Sequence, residues 1–141
     1  MATSAQYATT PAYFTGTAAT ADSSYTAPTN AVLIMTGTST AAGSGVGHRI
    51  YRASAIVKGT SSTAAVVRIF TSTDAGTTFQ LLGEAMIPAI TAGASSPISD
   101  VSLPFLEGLV IPGSTGGNAF RIYATTSITQ NTAIHIWASA L

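Results

Sequence analysis

The chain has no cysteine, so disulfide frameworks, thiolate metal sites and cysteine nucleophiles are excluded together. Histidine is almost as scarce, with only His48 and His135. Charge is sparse as well: 7% of residues are charged, against roughly 25% in ordinary soluble domains. The five basic residues (Arg49, Arg52, Lys58, Arg68, Arg121) balance the five acidic ones (Asp22, Asp74, Glu84, Asp100, Glu107). No net field steers a polyanion, which argues against direct nucleic-acid binding by phosphate neutralisation. Long apolar runs are missing too. Residues 32–35 and 109–111 are far shorter than the ~18 to 20 residues a bilayer span needs, so no membrane partner is expected. The opening Met1-Ala2-Thr3-Ser4-Ala5-Gln6 has neither a basic region nor an apolar stretch behind it and does not read as a signal peptide.

What remains is 141 residues rich in Thr, Ser, Gly and Ala, with a mean hydropathy of +0.40. That length suits one domain able to bury a core without staple or metal. So few charges on an apolar chain point to an exterior substantially covered by partners. No stretch carries a 3.6-residue apolar period. Short runs with strand periodicity recur between Gly and Pro turns instead, about eight in all, which predicts an all-β chain: an antiparallel two-sheet β-sandwich, a jelly roll foremost, or a small barrel.

The clearest organised stretch is 63–87, two apolar strands joined by Ser72-Thr73-Asp74-Ala75-Gly76. Ala65, Val67 and Ile69 alternate with Val66, Arg68 and Phe70; Phe79, Leu81, Ala85 and Ile87 alternate with Gln80, Leu82, Glu84 and Met86. Pairing the odd-numbered rows across the loop predicts one wholly apolar face, with Arg68 diagonally near Glu84 on the other. Further strands are expected over 31–38 (buried on both faces), 48–59 (Tyr51, Ala53, Ala55 and Val57 sharing a face), 98–105, 109–111, 119–128 and 132–141. Residues 1–30 read as an extended N-terminal arm with one strand over 12–17, its Tyr7, Tyr13, Phe14 and Tyr25 docking on the same domain or on a neighbouring subunit. The sandwich domain proper is expected over 31–141.

Few residues suggest chemistry. Ser72, Asp74, Gly76, Thr78 and Phe79 stand in the order Ser-x-Asp-x-Gly-x-Thr-Phe and resemble the Asp-box hairpin of sialidase propellers. An Asp in the turn accepts backbone N–H bonds, Gly permits positive φ, and the aromatic pins the hairpin base, so the reading is a structural turn. A sialidase would require several copies and an arginine cluster. Asp74, Glu84, Asp100 and Glu107 show no acid and base pairing, and Gly43-Ser44-Gly45 lacks the strand-to-helix elbow of a serine hydrolase. The glycines of 41–47 lack the spacing and the following helix of a phosphate loop. No catalytic residue, metal or cofactor is expected. On the last strand Ile134, Ile136 and Ala138 face inward, which turns His135 and Trp137 outward. If Arg121 and Tyr123 share that face, the four form an aromatic and cationic patch of the type enriched at interface hot spots. The alternatives are packing within the domain and a sugar-stacking platform. The candidate interface residues are therefore Tyr7, Tyr13, Phe14, Arg121, Tyr123, His135 and Trp137.

The middle of the chain, over 47–128, resembles a known group. Arg49-Ile50-Tyr51-Arg52, Lys58-Gly59-Thr60, Val67-Arg68-Ile69-Phe70, Leu82-Gly83-Glu84 and Pro104-Phe105 followed by Gly108-Leu109-Val110-Ile111-Pro112 are similar to the small jelly-roll cement, or decoration, proteins of tailed bacteriophages. The resemblance implies a non-catalytic virion structural protein, made in the host cytoplasm and placed on the capsid exterior. There it would bind over and between major capsid subunits and stabilise the shell. It also implies self-association, as a homodimer foremost or a trimer. The alternative function is a carbohydrate- or receptor-binding module of a phage tail or fibre.

Overall fold

The computed structural model describes residues 10–37, 47–113 and 119–140. Among them there is no helix; nine strands run β1 (Thr10–Ala18), β2 (Val32–Thr36), β3 (His48–Val57), β4 (Ala65–Ser72), β5 (Gln80–Ile87), β6 (Asp100–Ser102), β7 (Val110–Ile111), β8 (Arg121–Thr126) and β9 (Thr132–Ala140). Tyr7, the glycine loop up to Val46 and residues 114–118 lie outside the described residues.

The strands form two antiparallel sheets packed face to face. Sheet A has the order β1-β9-β3-β6, with β7 also on β3, and sheet B the order β2-β8-β4-β5. β6 and β7 pair with the same edge of β3, and the excursion between them returns hydrogen bonds to it: Leu103 N–H donates to Ala53 O and Gly108 N–H to Ile50 O, at 2.9 and 2.8 Å. The core lies between the sheets. Ile50, Ala53, Ala55, Val57, Ile134, Ile136 and Ala138 from sheet A meet Met35, Ala65, Val67, Ile69, Ile87, Ile122 and Ala124 from sheet B. Leu103 and Leu106, fully buried, fill its side beneath the excursion.

Three irregularities in pairing redirect side chains that simple alternation places elsewhere. A bulge between Ile50 and Arg52 leaves Tyr51 unpaired, so both Tyr51 and Arg52 face outward. Tyr51 thus does not share the core face of Ala53, Ala55 and Val57; His48 and Ile50 do. In the β4–β5 hairpin the register shifts between Ile69 and Phe70, which sets Leu81 opposite Phe70. The odd-numbered rows therefore form one core face only from Ala65/Ile87 to Ile69/Gly83. Nearer the turn, Leu81 and Phe79 lie with Phe70 on the outer face of sheet B. Arg68 stands directly opposite Glu84, not diagonally, and pairs with it at 3.2 Å. The third shift, between Leu33 and Met35, leaves Leu33 exposed, so β2 is buried on one face rather than both. Gly83 is required by packing: a Cβ there would stand 2.7 Å from the Phe105 ring, which closes the sandwich over β5.

His48 ends up buried at the core margin, with the Phe14 ring edge-on to it at a centroid distance of 5.4 Å and Nδ1 without a hydrogen-bond partner among the described residues. Burial holds its pKa below the ordinary 6.5. The unfolded chain then binds more protons near that pH, so this stability is complete above 6.5 and is lost as pH falls through that value toward the lowered folded pKa. Thermal melts from pH 8 to about 5 should show that fall. His48→Leu should flatten it, and an unchanged slope would refute the assignment.

Candidate functional site

The outer face of sheet A carries the most concentrated set of interaction-type side chains. It arises from a straight cross-strand tier: Tyr13 on β1 stands opposite Trp137 on β9, which stands opposite Arg52 on β3. The Arg52 guanidinium lies over the Trp137 ring at 5.1 Å, while Tyr13 and His135 approach the indole at 5.6 and 5.8 Å. A second tier of Thr15, His135 and Ser54 underlies the first. Tyr13 Oη is hydrogen-bonded to His135 Nδ1, and the Thr15 hydroxyl donates to the Ile134 carbonyl at 3.0 Å. These contacts span three neighbouring strands, so the rings are held by the sheet and not by a loop. Tyr51, turned out by the bulge, is 52% exposed, and Val110, opposite Arg49 on β7, is 56% exposed. Arg49 and Arg52 are both exposed on this face. The single ion pair among the described residues is Arg68–Glu84, which leaves both arginines without a carboxylate partner there.

The candidate interface residues divide accordingly. Tyr13, His135 and Trp137 come together. Arg121 and Tyr123 do not join them: β8 belongs to sheet B, because the chain crosses between sheets from β8 to β9 instead of turning back as a hairpin. Tyr123 is buried under the hairpin tip, edge-on to Phe79 at 5.2 Å, and Arg121 lies half-buried on β8 opposite Ser72 and Thr36. Phe14 points the other way from Tyr13, against the core and His48. Arg49, Tyr51 and Arg52 were not legible as members, since their place depends on β3 lying beside β9 and on an unmarked bulge.

The β4–β5 turn forms a dense local network. Asp74 Oδ1 accepts the Ser72 hydroxyl and the Thr78 N–H at 2.8 and 2.9 Å, and the Thr77 N–H at 3.2 Å; Oδ2 accepts the Thr78 hydroxyl. Ser72 Oγ accepts the Gly76 N–H at 3.0 Å. Gly76 has φ of 84° and a Cβ there would lie 2.9 Å from the Tyr123 hydroxyl, so both backbone and space favour glycine. The Thr78 hydroxyl and N–H, then Ser72, hold the Asp74 pKa down to about 2. That contribution is present above the ordinary 3.8 and is lost as pH falls through about 2. Asp74→Ala should lower the melting temperature at neutral pH, with the gap to the parent closing in acid. A constant gap from pH 7 to about 2 would contradict this account of the turn.

Sheet B carries a concave feature, an open cleft of about 830 Å³ between residues 25–29 and 76–81. Among the described residues no three His, Asp or Glu side chains converge as a metal site would need. Comparisons with protein-family models, with curated proteins and with solved structures find no match to this chain.

Proposed function

We propose that this chain is a non-catalytic virion structural protein of a tailed phage, a capsid decoration protein that docks on the major capsid lattice through the outer face of sheet A. The observation that carries this reading is the tier of Tyr13, Trp137 and Arg52, widened by Tyr51 and Arg49. Aromatic residues and arginine are the types enriched at interface hot spots, and here they stand on a rigid strand frame. Two arginines without a carboxylate partner among the described residues favour a shell surface that presents Asp or Glu. The architecture is compatible with the resemblance carried by 47–128. Counted as one strand, β6 and β7 leave eight strands in two sheets with the chain order 1-8-3-6 and 2-7-4-5, an interleaving that supports the jelly-roll reading. Self-association as a two-fold dimer is part of the proposal, since a decoration protein bridging lattice subunits presents the same surface repeatedly.

Trp137 suits this role better than a sugar platform. Arg52 lies over one side of the indole, with Tyr13 and His135 at 5.6 and 5.8 Å, a mixed aromatic and cationic set of the kind enriched at protein interfaces. Sedimentation of the purified protein with expanded empty capsids, and separately with tails, tests the reading. Saturable pelleting with capsids alone is expected. Failure to bind any capsid lattice, or binding to tails only, would sink it.

A further inference from the structure

The cleft on sheet B is independent of that face, and its two walls are fixed before any ligand arrives. Residues 22–30 fold around Asp22, whose carboxylate accepts N–H groups from Thr29 and Asn30 at 2.8 Å and from Ser24 at 3.0 Å. The Asp22 N–H in turn donates to the Thr126 carbonyl at 2.8 Å, which ties the loop to β8. Burial of Asp22 opposes its ionisation, yet these N–H donors and Arg68 outweigh it and hold the carboxyl below its ordinary range. The facing wall is the Asp74 turn, anchored by Phe79 against Phe70 and Tyr123.

Tyr25 lines this cleft with an unusual degree of constraint for a residue 51% exposed. The Arg68 guanidinium lies over its ring at 4.2 Å, and Arg68 Nη2 donates to its hydroxyl at 3.0 Å. Arg68 is itself buried and held by Glu84 at 3.2 Å. A ring clamped in this way loses little rotamer freedom when a ligand stacks on it. Thr26, Thr77, Gln80, Phe79 and Leu81 line the cleft with it; the Thr77 hydroxyl donates to the Asp74 carbonyl at 3.0 Å and keeps its lone pairs for an incoming donor. Among the described residues no charged side chain lines the cleft, so a phosphate or carboxylate would lose hydration without gaining a countercharge.

We propose that this cleft binds a neutral sugar residue of a glycan, with Tyr25 as the stacking ring and Gln80 and the threonine hydroxyls as hydrogen-bond partners. A pyranose matches both halves of the lining, offering weakly positive C–H groups to the electron-rich ring face and hydroxyls to the amide and threonines. The volume, about 830 Å³, falls inside the range of roughly 300–1,000 Å³ usual for small-ligand sites. Because the cleft lies on sheet B and the capsid-docking face on sheet A, either reading can fail without the other.

The test is a titration of the full-length, isotope-labelled protein with the methyl glycosides of glucose, galactose, mannose and N-acetylglucosamine, followed by amide chemical shifts, with methyl glucuronide as the charged probe. Saturable shifts at Tyr25, Thr77 and Gln80 are expected with at least one neutral glycoside, at millimolar affinity. Tyr25→Phe should retain binding, while Tyr25→Leu should weaken it about tenfold, the scale of one aromatic stacking contact. Gln80→Ala, at an exposed position away from the core, should also weaken binding and keeps the test decisive if Tyr25→Leu fails to fold. No saturable shift with any of the four glycosides overturns the proposal. So do shifts centred on Trp137, preference for the glucuronide, or unchanged affinity in Gln80→Ala.

Discussion

Replacing Phe70 with alanine is expected to destabilise the fold by about 3–5 kcal/mol, the scale of a fully buried Phe lost to a cavity. Phe70 is fully inaccessible although it points away from the inter-sheet core. Its ring packs edge-on with Phe79 at 6.0 Å, and Phe79 packs in the same way on Tyr123 at 5.2 Å, so three rings make a second small core on sheet B. Removing the most buried ring of that cluster leaves a void that backbone on both sides, held in the β4 ladders, cannot close. For a chain of this length the melting temperature should fall on the order of 10–15 °C. Met86→Ala on the same hairpin, where the side chain is 67% exposed, should stay within about 0.5 kcal/mol of the parent. Urea melts of both variants check the contrast. A Phe70→Ala variant within about 1 kcal/mol of the parent would show that the cluster is not a core.

The second large effect concerns binding. Arg52→Glu reverses the charge at one end of the aromatic tier, and Trp137→Ala removes its central and largest ring. If sheet A docks on the shell, each should weaken capsid binding by about 2 kcal/mol or more, roughly thirtyfold or beyond, as central Trp and Arg positions do at interfaces. The folded monomer should barely register Arg52→Glu, because an exposed cation–π contact contributes only about 0.5–1 kcal/mol. Binding lost while the melting temperature holds separates docking from folding. Leu33→Ala, on the opposite sheet, should bind like the parent. Equal losses in all three variants would place the contact elsewhere.

Much of the fold was legible because β-strands announce themselves by period and punctuation. The Gly and Pro turns and the alternating runs of 63–87, 119–128 and 132–141 located the main strands, and the inward Ile134, Ile136 and Ala138 correctly turned His135 and Trp137 outward. Side-chain direction failed wherever a bulge intervened. Nothing at Tyr51 or Leu82 marks an extra residue, yet each inverts the alternation along its strand, moving Tyr51 out of the core row and Phe79 and Leu81 onto the outer face. Strand neighbours were the other gap. Residues 119–128 and 132–141 are adjacent in sequence and invite a hairpin, which grouped Arg121 and Tyr123 with Trp137. In the fold they sit on different sheets, and β9 instead lies between β1 and β3. That placement brings Tyr13 and Arg52, distant in sequence, to the two sides of one indole. The clamp of Arg68 on Tyr25 was hidden for a related reason, since it needs the 22–30 loop to fold back over sheet B.

The most direct test of the central claim is electron cryomicroscopy of expanded empty capsids saturated with the purified protein. The account predicts ordered extra density over the lattice, into which the sandwich fits with the Tyr13, Trp137 and Arg52 face of sheet A against the shell. Shells without added density, or density that seats the protein with that face toward solvent, would contradict it.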